Sequence, residues 1–261
     1  MGKLNGRVAI ITGASSGIGK HTAIRIAEEG AKVVICARRE DKLLETVKAC
    51  EERGKTEGGE AYAVVCDVME YDQLKSFVEK AVERFGKIDI LVCNALSSDP
   101  PAPFIEQSVE TLRKIFYSKF VSAWHLMQMC YPYLKASGKG AVVNVCSTAG
   151  IMGLPTQAAY SCANEALRCL TRVAAQEWGG DNIRVNALNP AAVTEGLREL
   201  EKIDPEYCEM IYKKMADIAA LNRTGDAYED ISPAILFLAC DDSQFITGQT
   251  LNAEGGGVIT S

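Results

Sequence analysis

Short apolar runs alternate along this chain with stretches in which apolar side chains recur every three or four positions. The first run, Val8-Ala9-Ile10-Ile11, predicts a strand. Ile18, Ala23, Ile26 and Ala27 follow at helical spacing, with Gly30 as a stop signal, and Val33-Val34-Ile35-Cys36 predicts the next strand. The rhythm continues with a strand from Ala61 to Cys66 and an amphipathic helix over 71–85 built on Leu74, Phe77, Val78, Ala81 and Val82. A strand from Ile88 to Cys93 comes next, then a proline-rich loop from Ser98 to Phe104 and a long helix from about Glu110 to Lys135. A strand from Ala141 to Cys146, a helix from Ala158 to Trp178 and a strand from Ile183 to Leu188 follow. Residues 195–222 are charged and helical, and the chain closes with a helix from Ile231 to Cys240 and a short strand at Thr250-Leu251-Asn252. Near-continuous apolar strands separated by amphipathic helices predict an α/β fold, with a doubly wound parallel sheet flanked by helices on both faces. No repeat, low-complexity tract or linker divides it, so residues 1–261 form a single domain.

The turn after the first strand holds Gly13, Gly17 and Gly19, spaced G-x-x-x-G-x-G. At a strand-to-helix turn, side chains would hold a pyrophosphate away from the free N–H groups and positive end of the helix. Gly13 permits the tight turn, Gly17 lets the backbone approach phosphate, and Gly19 lets helix pack on strand. In the first βαβ unit this is a strong sign of a Rossmann-like dinucleotide site. Gly13-Ala14-Ser15-Ser16-Gly17 also satisfies G-x-S-x-G, the nucleophile turn of α/β-hydrolases. That chemistry needs a histidine late in the chain, and the only histidines are His21 and His125.

Composition narrows the picture further. The chain is 48% hydrophobic and 24% charged, which suits one large α/β domain. No apolar run approaches the ~20 residues of a membrane span, and the N-terminus lacks a signal-peptide core. We therefore expect a cytoplasmic protein. A net charge of −6, with Lys and Arg spread along the chain, argues against a nucleic-acid surface. The ten cysteines include no C-x-x-C pair, and Cys36, Cys66, Cys93 and Cys146 fall at or near predicted strand ends. They read as buried, reduced thiols, and no His-based metal cluster is visible.

The motifs resemble those of the classical short-chain dehydrogenase/reductases along the whole chain. The glycine motif of that family matches Thr12-Gly13-Ala14-Ser15-Ser16-Gly17-Ile18-Gly19, and its adenine-contacting acid matches Asp67 in Cys66-Asp67-Val68. Its N-N-A-G appears as Cys93-Asn94-Ala95-Leu96, and its catalytic serine as Ser147, thirteen residues before Tyr160. Thr247-Gly248-Gln249-Thr250-Leu251-Asn252 and Gly255-Gly256 fit as well. The resemblance implies hydride transfer between a nicotinamide cofactor and a ketone or secondary alcohol. Tyr160 is then the general acid, or as phenolate the base, and Ser147 holds the same substrate oxygen. Cofactor contacts carry over to Gly13, Ser15, Ser16, Gly17, Ile18, Gly19, Asp67, Val68, Asn94, Ala95 and Pro190.

Four positions depart from the pattern. The family has a lysine four residues after the tyrosine; this chain has Asn164. A cation ~5 Å from a phenolate, at an effective dielectric of ~20, is worth roughly 3 kcal/mol, about two pKa units. Lys119 stands where the family has an asparagine on the long preceding helix, so the two residue types have exchanged places. Two outcomes are open: Lys119 reaches toward Tyr160 or the ribose and restores the charge, or it points to solvent. Leu96 replaces the glycine of N-A-G beside the cofactor, adding four carbons that narrow or block the cleft, and Ala191 replaces the glycine of a P-G pair near the nicotinamide.

After the second strand, Ala37-Arg38-Arg39 offers no acid for the 2′-hydroxyl of NAD, so Arg38 and Arg39 favour NADP(H) over NAD(H). The alternative is a solvated basic loop pairing with Glu40 and Asp41. Two function classes follow: a working NADP(H)-dependent reductase or alcohol dehydrogenase, or a degenerate subunit paired with an active relative, as in the arylsuccinyl-CoA dehydrogenases. Either way an oligomer is expected. Family members pair through two long helices, and Trp124, Leu126, Met127, Met129 and Cys130 give the first an excess of apolar surface. Residues 192–222 are expected to cover a small-molecule substrate, with Glu195, Arg198, Glu199, Lys202, Lys213 and Lys214 among Leu197, Tyr207, Met210, Ile211 and Tyr212.

Overall fold

Alternate residues of the buried strands serve opposite faces of one sheet. In the computed structural model, which describes residues 1–97, 99–194, 197–198 and 201–259, the strands are β1 (Val8–Thr12), β2 (Lys32–Ala37), β3 (Glu60–Val65), β4 (Ile90–Cys93), β5 (Ala141–Val145), β6 (Arg184–Pro190) and β7 (Thr250–Ala253). They form one seven-stranded sheet in the order β3-β2-β1-β4-β5-β6-β7, with every pairing parallel. This is the doubly wound, Rossmann-like arrangement the apolar runs predict. Strand order reverses between β1 and β4, where a crevice opens at the carboxyl ends.

Each face has its own layer of helices. Ala9, Ile11, Val33 and Ile35 pack beneath α1 (Gly17–Glu28), α2 (Glu40–Gly54) and α9 (Ser232–Ala239). Ile10, Val34 and Leu91 pack beneath α3 (Tyr71–Phe85), α5 (Ser122–Ala136) and α7 (Ala158–Trp178). The strand-end cysteines Cys36, Cys66, Cys93 and Cys146 all belong to this second layer. Eight of the cysteines are buried, as expected, but Cys162 and Cys169 on α7 are exposed.

Several elements differ from the expectation. α2 escapes the pattern because its buried face is only Leu43, Thr46, Cys50 and Gly54 in an otherwise charged segment. The long helix is three pieces: α4 (Val109–Phe116), a π-helical turn at Tyr117–Val121, and α5. A short α6 (Thr148–Met152) leaves β5, with Ser147 as its N-cap. In the expected cover segment α8 spans Pro205–Ile218. Glu195 and Glu199 of that segment, and Ser98 of the proline-rich loop, lie outside the described residues.

Phe77 is the largest wholly buried side chain of the second layer. Phe77→Ala is expected to cost about 3–5 kcal/mol through lost transfer energy and the cavity left behind. Denaturant unfolding checks this as a lower midpoint at unchanged slope; a change below about 1 kcal/mol would show that the α3 layer collapses to fill the gap.

Candidate active site

The carboxyl edge of the sheet gathers the candidate residues because all its strands point the same way. A cleft of about 300 Å³ lies over the ends of β1 to β4, lined by Gly13, Ser15 and Ser16, by Arg38 and Arg39, by Cys66, Asp67 and Val68, and by Asn94 to Ser97. Gly13 has φ +69°, which a side chain rarely adopts. A Cβ on Gly19 would lie 2.5 Å from both the Gly13 carbonyl oxygen and the Asn94 amide nitrogen. Asn94 therefore fastens the glycine loop: its Nδ2 donates to the carbonyls of Thr12 (2.9 Å) and Gly13 (3.2 Å). In return, Thr12 Oγ1 accepts from the backbone N–H groups of Asn94 (3.1 Å) and Ala95 (3.0 Å). From the other side Thr46 on α2 donates to the Ala14 carbonyl at 3.0 Å. Thr12 sits inside the quoted motif but was not assigned a role, and Thr46 carries no sequence signal at all.

The basic loop does not fold onto the neighbouring acids in the expected alternative. The Arg39 guanidinium crosses the cleft mouth and donates to Ser15 Oγ (3.2 Å) and Ser16 Oγ (3.0 Å). Arg38 is exposed and lines the same cleft. Asp67 accepts from the Met69 N–H at 3.0 Å, which fixes its carboxylate at the cleft wall. Ile18 lies half-buried on the first turn of α1, and Pro190 ends β6.

A second cleft, of about 340 Å³, opens beside the first. Leu96, Asp99, Pro100, Pro101, Gln107, Thr111, Ile115, Thr156, Gln157 and Tyr160 line it. Leu96 borders both clefts and is 37% exposed, so it stands at the passage between them without filling either. Gln107 shapes the floor by donating to the carbonyls of Ala102 and Thr156, each at 2.9 Å, and accepting from the Ala159 N–H at 3.1 Å.

Ser147 lies near Tyr160. Burial pushes the Tyr160 phenol above the usual tyrosine value, and the neighbouring Ser147 hydroxyl opposes that rise. Ser147 Oγ also accepts from the Ala149 N–H at 3.2 Å, capping α6. Asn164, one turn along α7, is buried; its Nδ2 donates back to the Tyr160 carbonyl at 2.9 Å, and its Oδ1 has no partner among the described residues.

Lys119 follows neither expected course. It is only 3% exposed, which removes the solvent alternative, and its ammonium donates to the Val145 carbonyl rather than meeting the Tyr160 hydroxyl. The π-helical turn carries this lysine inward to the ends of β4 and β5. Burial lowers its pKa, while its charge draws the buried Cys93 and Cys146 thiols downward against their own desolvation, which still holds them near about 12 and about 11. Among the described residues no cation lies beside the Tyr160 hydroxyl, and burial leaves it the stronger holder of its proton.

The residues present suit a dinucleotide. The glycine cradle that a Cβ would fill, the unpartnered Asn164 oxygen and the arginine over the serine loop are all on the same edge of the sheet. Among the described residues no group of His, Cys, Asp or Glu is placed to hold a metal ion, and no helix is long and apolar enough to cross a membrane. Known proteins agree with this architecture. The chain is 37% identical over 262 residues to a 12alpha-hydroxysteroid dehydrogenase of a Clostridium species, covering 98% of each chain. L-sorbose reductase of Gluconobacter frateurii, solved with NADPH and L-sorbose, superposes with a TM-score of 0.90 at 29% identity, covering all of both chains. An NAD+-bound xylitol dehydrogenase superposes at 0.88 with 31% identity, covering 97% of this chain and 100% of its own. The sequence profile described as short chain dehydrogenase matches residues 7–204. With three-quarters of its length inside that profile, the chain belongs to the short-chain dehydrogenase family.

Proposed function

We propose that this protein is an NADP(H)-dependent oxidoreductase that interconverts a ketone and a secondary alcohol. The observation that carries the reading is Tyr160 lining the second cleft, with Ser147 close enough to act on its phenol and Leu96 joining that cleft to the glycine cradle. A bound nicotinamide dinucleotide supplies or accepts the hydride. Tyr160 donates its hydroxyl proton to the carbonyl oxygen during reduction and takes it back during oxidation. Ser147 hydrogen-bonds that oxygen and holds it in place. The unpartnered Asn164 oxygen accepts a ribose hydroxyl, which keeps the orienting half of the missing lysine's role without its charge. Lys119 acts from behind, holding the end of β5 one residue before Cys146 and two before Ser147. The relatives described above are oxidoreductases, which supports this reading over the degenerate-subunit alternative.

Substrate enters at the second cleft, where Leu96, Pro100, Pro101 and Ile115 make an apolar slot, and α8 with its exposed Tyr207 and Met210 supplies the cover. Two copies associate through the groove of about 480 Å³ between α5 and α7, where Phe120, Trp124, Leu170, Val173 and Trp178 present an apolar face.

Three measurements test the proposal. Calorimetric titration should show NADPH binding in the micromolar range, with NADH at least about tenfold weaker. Arg39→Ala should erase that difference, because in this reading the guanidinium binds the 2′-phosphate. Equal affinities would overturn the NADP preference, and no binding of either nucleotide would overturn the enzyme reading. A raised Tyr160 pKa keeps the phenol protonated through neutrality. Ketone reduction should therefore be flat there, while alcohol oxidation, which needs the phenolate, should climb with pH toward about 10 and beyond. Tyr160→Phe should lower turnover in both directions by about 10²–10⁴-fold, and Lys119→Ala should lower turnover by freeing the end of β5 that leads to Ser147; unchanged turnover would remove Lys119 from the site. Finally, Val173→Glu, at an exposed position in the α5/α7 groove, should shift the species seen by sedimentation to a smaller one. An unchanged sedimentation coefficient would move the interface elsewhere.

A further inference from the structure

The helix that carries Tyr160 starts without a cap of its own. α7 begins at Ala158, and the side chain of Gln157, the residue before it, accepts no hydrogen bond from the first turn. The N–H groups of a first turn have no acceptor within their helix, so they need one from elsewhere. The Ala159 N–H finds it in another element. Gln107, between the 3₁₀ turn Phe104–Glu106 and α4, accepts from it at 3.1 Å. The Ala159 side chain is gripped as well, buried with Ile115 of α4 and with Ala163. Tyr160 is the next residue.

The nitrogen of the same amide ties down the wall of the second cleft. Gln107 Nε2 donates to the carbonyls of Ala102 and Thr156, each at 2.9 Å, and the Ala102 N–H donates to the Thr156 carbonyl at 3.0 Å. Pro100, Pro101 and Pro103 have no N–H, so Ala102 carries the only backbone donor between residues 100 and 103. Its N–H and its carbonyl are both committed to this joint. Thr156 meets it at φ +66°, a conformation that is costly for a β-branched residue and persists only where its surroundings hold it. The two donors at its carbonyl supply that hold.

We propose that Gln107 is a positioning residue, which caps α7 from outside and fixes Tyr160 against the proline wall of the substrate cleft. The role in catalysis rests on the function proposed above, whereas the joint itself does not. Gln107 has given both amide hydrogens to backbone carbonyls, so it has no donor left for a substrate oxygen. Its effect therefore falls on the alignment of Tyr160 during proton transfer, where a displacement of about 1 Å can cost about 10²-fold in rate. The spacing of residues around Tyr160 does not signal this, because the capping group lies 52 positions upstream of Ala159.

Two variants of the full-length protein test this. Gln107→Met keeps the length of the side chain and removes its hydrogen bonds, while Gln107→Glu keeps an acceptor for Ala159 and removes the donors. Amide hydrogen exchange reads the joint directly and needs no substrate. The Ala159 N–H is expected to be protected in the unaltered protein and to exchange at least about tenfold faster in the Met variant. The Glu variant should regain protection, since a carboxylate also suits the positive end of a helix. Equal exchange at Ala159 in the unaltered protein and the Met variant would overturn the proposal. With NADPH and the faster of acetophenone and cyclohexanone, the Met variant should lose about ten- to a hundredfold in kcat at nearly unchanged KM. The Glu variant should recover part of that loss. A change in KM alone would make Gln107 a substrate contact, and a Glu variant no faster than the Met variant would show that the bond to Ala159 does not place Tyr160; either result overturns the proposal. If the unaltered protein binds no NADPH and reduces neither ketone while Ala159 exchange responds as expected, the joint stands, and the proposed reaction falls together with the positioning role.

Discussion

Everything at the carboxyl edge depends on how closely two backbones approach where β1 gives way to α1. The absent side chain at Gly19 lets the helix start within reach of the Gly13 carbonyl, and Asn94 closes that contact with two hydrogen bonds from the adjacent strand. The strand order reverses at this point, so the crevice opens here and nowhere else along β1 to β4. Thr12 reciprocates by accepting from the backbone of Asn94 and Ala95, which sets the path of the chain into Leu96. A mutually satisfied set of buried polar groups of this kind is rigid, because losing any one partner leaves another unpaired at a cost of about 1–3 kcal/mol.

The site combines that rigid cradle with an unusual electrostatic arrangement. A family lysine beside the tyrosine would favour phenolate; here the neutral Asn164 takes its place and burial acts in the opposite direction. Lys119, on the π-helical turn of the neighbouring helix, is taken up by a carbonyl of β5 and by two buried thiols. Reduction, which starts from the neutral phenol, suffers less from this exchange than oxidation does.

Local spacing made much of this legible. The glycine turn could be read because it depends on a few neighbouring positions at the end of an apolar run, whereas Asp67, Asn94, Ser147 and Tyr160 were named through the resemblance to the family. The seven-stranded sheet followed from the same runs, with errors of one or two residues at strand ends. What failed did so for physical reasons. α2 hides because it buries only four residues, one of them a threonine, beneath a charged surface. The destination of Lys119 is not encoded in its own position but in the π-helical turn around it, which a 3.6-residue period cannot reveal. Leu96 looked like an obstruction by size alone, yet its side chain stands at the edge between two clefts.

The π-helical turn also makes chain length a constraint on evolution. Between α4 and α5 the wider turn accommodates one residue more than regular α geometry would, and it lets Ser118, Lys119 and Ser122 all face inward. Each residue of an α-helix advances the direction of its side chains by about 100°. Removing a single residue between Tyr117 and Val121 would let the helix run on regularly, but Leu126, Met127, Cys130 and Leu134 would then swing away from the sheet. A substitution here changes the chemistry of the stretch and leaves the phase of the helix intact, whereas a deletion changes that phase.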